Sequence, residues 1–380
     1  MLIETGFETE MSDLVVQKPR FYTGTWMVGF GGSVSTAGVI KDDLMYFGCC
    51  DHYIYALDLK TRETLWKFRA SGGFVEARPV LHNDVFYLGN YDGYMYAVNI
   101  KNGELVWKFR TGDRITSSVF IYNGKAYFGS FDSNLYCLDS NGKEIWRFRT
   151  GGRVGSGPVI NGNELYFGSY DGNLYCLEPE TGKEIWRFKT SGSILHYHPF
   201  CIQNDVIYIP SFDRNLYAVN IKKRREEWRF KTGDVIEMAP VIHRGIVYFG
   251  SQDHNFYAVD ISNGKEIWRF KTGGGIFSTP FLYNGFLYFG SYDCHLYGVD
   301  AIRGKEVFRF QTSVSSQSTV ELFEQLPIEL KPLEEDREGK ENEFYRFGIP
   351  RLNVTESEYT QNIQYTVKNI YASKKKYDQI

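Results

Sequence analysis

No stretch of this 380-residue chain approaches the roughly 20 consecutive apolar residues that a membrane-spanning helix needs. Neither sign of charge dominates: 43 Lys and Arg stand against 46 Asp and Glu, a formal net charge of −3. The basic patch through which a protein holds nucleic acid or an anionic membrane is therefore not expected. Six cysteines, at positions 49, 50, 137, 176, 201 and 294, include no CxxC pair and no zinc-type spacing. Free thiols in a reducing compartment are the expectation. Nucleophile-elbow, P-loop and HExxH motifs are missing too. The opening MLIETGFETEMSDLVV carries three glutamates, no basic n-region and no apolar core of signal length, so the expected location is cytoplasmic. Proline is scarce, at 11 residues.

What the chain has is aromatics, 17% of all residues, and 38 glycines, a mixture suited to short strands joined by tight turns. The aromatics recur in phase. TWMVGF starts at Thr25, LWKFRA at Leu65, VWKFRT at Val106, IWRFRT at Ile145, IWRFKT at Ile185, EWRFKT at Glu227, IWRFKT at Ile267 and VFRFQT at Val307. From Trp26 to Phe308 the spacing stays within 39–42 residues, the period of a propeller blade or a solenoid repeat.

Within residues 155–190 the unit divides into four runs, separated by Asn161-Gly162, Asp171-Gly172 and Thr181-Gly182. Asn-Gly and Asp-Gly supply the positive φ angles of two-residue hairpins, so consecutive runs pair antiparallel. Four antiparallel strands per unit predict an all-β fold, a β-propeller of four-stranded blades. Trp26, Trp66, Trp107, Trp146, Trp186, Trp228 and Trp268 fall on the outermost strand, where large aromatics are expected to pack between blades. Asp51, Asp92, Asp132, Asp171, Asp213, Asp253 and Asp293 read as turn-formers, since each turn offers one carboxylate and calcium needs several oxygens.

The units YFGSYDGNLYCLEPETGKEIWRFKT and YFGSQDHNFYAVDISNGKEIWRFKT resemble the PQQ-like repeat over about residues 21–312. That repeat is named for pyrroloquinoline-quinone dehydrogenases and also builds binding propellers of the BamB type, which hold no cofactor. The resemblance implies the fold and leaves the function open.

Seven units run from about Ser33 to Thr312. The expected architecture is one domain over 21–380 after an N-terminal extension at 1–20. Residues 21–30 and 313–373 are expected to close the ring as an eighth blade, removing the exposed edge of a linear array. Seven blades plus a tail is the alternative. The stretch KPLEEDREGKENE, 331–343, has six acids against three bases and reads as a solvated insertion.

Propellers place sites on one face, where the outer strand of one blade connects to the inner strand of the next. These connections vary between copies, and the residues breaking the pattern are Glu76, Arg78, Arg114, Arg153, His196, His198 and Glu237. Three arginines among Ser and Thr hydroxyls suit an anion or a peptide carboxylate. The competing reading has them ion-paired with Glu76, Glu237 and Asp234 around a water-filled channel. His196 and His198 at i and i+2 of an extended strand face one side, so with Glu237 they form a weak metal-ligand candidate.

The expected function is a non-catalytic, monomeric scaffold that binds a protein or a small anionic ligand at the channel mouth, without nucleic acid, membrane or cofactor. The alternative is a PQQ- and calcium-dependent dehydrogenase. In those enzymes, adjacent cysteines can bridge over the quinone, which the resemblance raises for Cys49-Cys50. Here GCCD aligns with GNYD, GSFD and GSYD, a hairpin between the second and third strands. Adjacent residues on a strand also point to opposite faces. Two thiols in a turn, rather than a bridge, are expected.

Overall fold

Left-handed backbone marks nearly every turn of the structure, a computed structural model that describes residues 38–74, 77–194 and 199–311. Paired positive φ angles at Asp42-Asp43, Asn83-Asp84, Asn123-Gly124, Asn204-Asp205, Arg244-Gly245 and Asn284-Gly285 turn the first strand of a unit into the second. Such pairs match the twist of antiparallel strands, so each hairpin closes in register. In the fourth unit the turn falls one residue later than the sequence suggests. Asn161 still pairs with Glu164, and Gly162 carries the positive φ.

Seven four-stranded antiparallel sheets result, each in sequential order, and among the described residues there is no helix. Blade 1 comprises β1 (Val39–Lys41), β2 (Leu44–Gly48), β3 (Tyr53–Asp58) and β4 (Thr64–Arg69). The other blades span residues 80–110, 120–149, 159–189, 201–231, 241–271 and 281–311. The propeller fold read from the repeat is thus present. The proposed closing strands at 21–30 and 313–373, and the insertion at 331–343, lie outside the described residues.

Six apolar clusters join the seven sheets pairwise. Between blades 1 and 2, for example, Tyr46, Ile54 and Ala56 meet Phe86, Leu88, Tyr96 and Val98. A blade alone cannot bury both faces, so stacking supplies the core. Gly89 shows how tightly the connections seat. A Cβ there would lie 2.4 Å from Ile115 Cγ2, so only glycine lets the incoming connection pack.

The outer-strand tryptophans add directional bonds. Nε1–H donates to a carbonyl of the following blade from Trp66 (Ile100 O, 2.8 Å), Trp107 (Ser140 O, 3.0 Å), Trp146 (Pro179 O, 3.0 Å), Trp228 (Ile261 O, 2.9 Å) and Trp268 (Ala301 O, 3.2 Å). Trp186 differs: its Nε1 is buried without a hydrogen-bond partner. The turn facing it in blade 5 places Arg224 at the positive φ that glycine holds in most other blades.

The in-phase aspartates do more than turn the chain. Asp171 Oδ1 accepts from the Asn173 amide (2.9 Å), and Oδ2 accepts from Tyr175 Oη (2.7 Å) and from the Gly151 amide of the preceding connection (2.8 Å). Asp132, Asp213, Asp253 and Asp293 make the same three-way junction. Burial alone would raise the carboxyls of Asp171, Asp213 and Asp293, but these donors override it and hold them below the usual carboxylate range. Burial, reinforced by the carboxylate, pushes the Tyr175 and Tyr217 hydroxyls up to about 12.

Two predictions follow from these junctions. Trp107→Phe is expected to lower stability by about 1 kcal/mol more than Trp186→Phe in urea denaturation, because only Trp107 gives up a hydrogen bond. A carboxylate whose folded pKa is depressed stabilises the fold fully above its unfolded pKa, about 3.9, and loses that contribution as pH falls below it. Asp171→Asn is therefore expected to cost about 1–3 kcal/mol at pH 7. The same variant should flatten the fall of stability below about pH 4, measured by denaturation across pH.

Candidate functional site at the propeller mouth

Antiparallel alternation puts the turn between the second and third strands at the same end of a blade as the connection to the next blade. The structure joins the two. The amides of Tyr91, Phe131, Tyr170, Phe212, Gln252 and Tyr292 donate to the carbonyls of Gly73, Arg114, Arg153, Ser193, Val235 and Gly275, at 2.9–3.3 Å. Each connection is thereby locked beside the residue that precedes the junction aspartate. The hairpin carrying Cys49-Cys50, between the second and third strands as its alignment suggests, shares this face with the connections. The Phe74 amide donates to Cys49 O, and Cys50 Sγ lies 3.7 Å from Phe74 O.

These pre-aspartate positions were not singled out from sequence, yet they form the surface of the site. The signal was present: the slot reads Cys50, Tyr91, Phe131, Tyr170, Phe212, Gln252 and Tyr292, while the aspartate after it never changes. Arg114, half-buried, lies between two of these rings, 5.0 Å from the Tyr91 centroid and 4.5 Å from that of Phe131. Arg153 covers Phe131 at 5.3 Å, and Phe131 meets Tyr170 edge-on at 5.5 Å. Tyr170, Phe212 and Phe277 then converge on Met238. Side chains from blades 4 and 5 and from the next two connections meet there, which places Met238 near the axis of the fan. Phe277 stacks on Tyr292, with centroids 6.0 Å apart. The result is a layer of rings and guanidinium groups running from blade 2 to blade 7.

Of the candidate residues, Arg114 and Arg153 are brought together over one ring. Arg114 makes no ion pair or side-chain hydrogen bond among the described residues, so the expected pairing with Asp234 or Glu237 is not its arrangement. Asp234 Oδ1 instead accepts from the Val235 amide (2.8 Å), and Glu237 Oε1 accepts from Gln252 Nε2 (3.0 Å). Arg78 belongs to the connection before blade 2, where burial pulls its guanidinium below the ordinary value. Glu76, His196 and His198 lie outside the described residues.

The hydroxyls are largely committed elsewhere. Ser117, Ser156 and Ser278 donate to the carbonyls of Gly129, Gly168 and Gly290, and Thr111, Thr150, Thr190, Thr232 and Thr272 donate to backbone carbonyls. They hold connections to blades, because a hydroxyl on an extended segment finds a neighbouring strand first. Thr116 and Thr279, in the same connections, have buried hydroxyls without a hydrogen-bond partner.

A planar quinone with calcium would need an open slot and converging oxygens. Met238 and the three rings around it occupy the centre of the layer, and among the described residues no three His, Cys, Asp or Glu side chains gather around one metal position. The described residues offer no converging oxygen set for that pair. None of the six cysteines forms a disulfide, and burial pushes the Cys49, Cys137, Cys176 and Cys201 thiols up to about 12. Two grooves, of about 290 and 190 Å³, lie away from this layer on the rim, beside Trp228 and Trp107. No described helix is long and apolar enough to cross a membrane.

The model of the family described as outer membrane protein assembly factor BamB matches residues 50–141, 131–243 and 231–326. Among solved structures, BamB from Moraxella catarrhalis superposes with a TM-score of 0.64 at 15% identity, over 73% of this chain and 87% of that one. A computationally designed protein, Ika8, gives 0.64 at 14% identity, over 75% and 88%. No curated protein matches the sequence. With three overlapping matches covering most of the seven blades, the chain belongs to the family of the outer membrane protein assembly factor BamB and is a PQQ-like repeat propeller.

Proposed function

We propose that the protein is a non-catalytic scaffold that holds a segment of a partner protein on the ring-and-guanidinium layer at its mouth. One observation carries the reading: the Arg114 guanidinium lies over two aromatic rings, Tyr91 and Phe131, and makes no side-chain hydrogen bond or ion pair among the described residues. Stacking fixes the plane of the group, and a planar fork with free donors suits a carboxylate gripped by two parallel bonds. Because the rings order the side chain beforehand, little rotamer freedom remains to be lost on binding. Arg153 over the same Phe131 adds a second positive charge, and Tyr170, Phe212 and Phe277 offer apolar surface for neighbouring side chains.

A protein partner is favoured over a free small anion by the extent of the layer, which crosses several blades. The family description, an assembly factor, points the same way. Aromatic and arginine side chains are also the residue types that carry binding energy at protein interfaces.

The test replaces both arginines by lysine, which keeps the charge and removes the planar fork. Proteins recovered from the cells of origin by the intact chain should include a partner lost by Arg114→Lys with Arg153→Lys. The thermal midpoints of the two chains should agree, since both side chains lie at the surface of the fold. Unchanged recovery at unchanged stability would take the site off the mouth and overturn the reading.

A further inference from the structure

The outer strands of blades 3 to 7 repeat a second device, which blades 1 and 2 lack. In blades 3 to 7 the last strand carries a glutamate and an arginine three residues apart: Glu144 and Arg147, Glu184 and Arg187, Glu226 and Arg229, Glu266 and Arg269, Glu306 and Arg309. Each pair is joined by two parallel hydrogen bonds. Residues i and i+3 of a regular strand face opposite sides. Here a bulge removes the mismatch. In blade 3, Trp146 pairs with Cys137 and Glu144 with Leu138, so Ile145 is the extra residue and Glu144 returns to the face of Arg147. The pair caps a free sheet edge with balanced charge.

Blades 1 and 2 have the same bulge but not the same charges; blade 1 keeps a polar residue, Thr64, at the glutamate position, whereas blade 2, with Trp107 opposite Ala97 and Leu105 opposite Val98, has an apolar one. Its outer strand β8 (Leu105–Arg110) places Leu105 where the glutamate belongs and Lys108 where the arginine belongs. Leu105 is 41% exposed and the bulged Val106 48% exposed. Lys108 and Arg110 rest over the Tyr94 ring, at 4.8 and 5.6 Å, and neither has a carboxylate partner among the described residues. β8 ends its sheet, so its outward backbone groups meet no further strand of the blade.

We propose that the outer edge of blade 2 is a docking strand for an extended, acidic segment of a partner protein, which adds as a fifth strand and supplies the carboxylate that Lys108 lacks, since Glu104 beside it is bonded to Asn102. Main-chain bonds along a free edge give affinity without sequence demand, and side chains at alternate positions give selectivity. Leu105 and Val106 offer apolar contact, while Lys108 and Arg110 repel a basic strand and attract an acidic one. A second copy of this chain is disfavoured as occupant, because pairing two such edges sets lysine and arginine against each other. This inference is independent of the mouth site, which uses the opposite end of the connections.

The probes are a fluorescein-labelled peptide of alternating valine and glutamate, six residues long, and its valine–lysine counterpart, titrated into the full chain by anisotropy. The acidic peptide should bind and the basic one should not. Hydrogen exchange of residues 105–110 should slow when the acidic peptide is present. Leu105→Glu with Lys108→Arg, which installs the pair used by blades 3 to 7, should weaken binding by about tenfold or more at unchanged thermal midpoint. The reverse exchange in blade 3, Glu144→Leu with Arg147→Lys, should create a second site. Equal binding of both peptides, or binding indifferent to the blade 2 exchange, would overturn the proposal. So would a dimer of the intact chain in sedimentation that the same exchange dissolves.

Discussion

Everything at the mouth depends on one carboxylate per blade. From blade 3 onward the junction aspartate takes an amide from its own turn, a hydroxyl from its own strand and an amide from the chain arriving out of the preceding blade. The first two bonds shape a hairpin; the third fixes one blade against the next. Because the third donor sits at the start of the connection, the aspartate also sets where the connection lies. The residue before the aspartate then pairs with the connection by backbone bonds, and that pairing lays Arg114 beside Phe131 and Arg153 beside Tyr170. A charged acceptor with several donors is among the stronger hydrogen-bonding arrangements available to a protein, which suits it to this role.

The same economy of parts runs outward along each blade. In blade 3, Tyr136 gives its hydroxyl to Asp132 and offers its ring to Arg147, which in turn grips Glu144. Junction, ring and rim pair thus form one chain of contacts from the mouth to the edge. The strength of an exposed rim pair is modest, so a blade without one gives up little stability. Blade 2 shows that outcome, with Leu105 and Lys108 in the two positions, and the edge is thereby left with apolar surface and unneutralised charge.

Much of the fold was legible because a repeat states its pattern many times. Turn residues with positive φ, a tryptophan at one phase and strands of fixed length point to the same blade in each copy. The candidate site was legible in part. Arg114 and Arg153 stood out by breaking the repeat, and the structure brings them to one ring. The aromatic slot was passed over because a position next to an invariant turn residue reads as part of the turn. The polarity of the serine and threonine hydroxyls is visible in sequence, but the carbonyls that Ser117 and Ser156 find are not.

By itself, then, the sequence determined the blade: how many strands it has, roughly where each one turns and which face packs, since these follow from local φ preferences and alternation. Only the tertiary structure decided which side chains share a surface. Tyr91, Arg114 and Phe131 are 17 to 40 positions apart and meet through hydrogen bonds between blades. Glu144 and Arg147, at a spacing that suggests a helix face, meet on a strand because a bulge absorbs one residue. Both depend on backbone pairing between segments, which no single stretch of sequence contains.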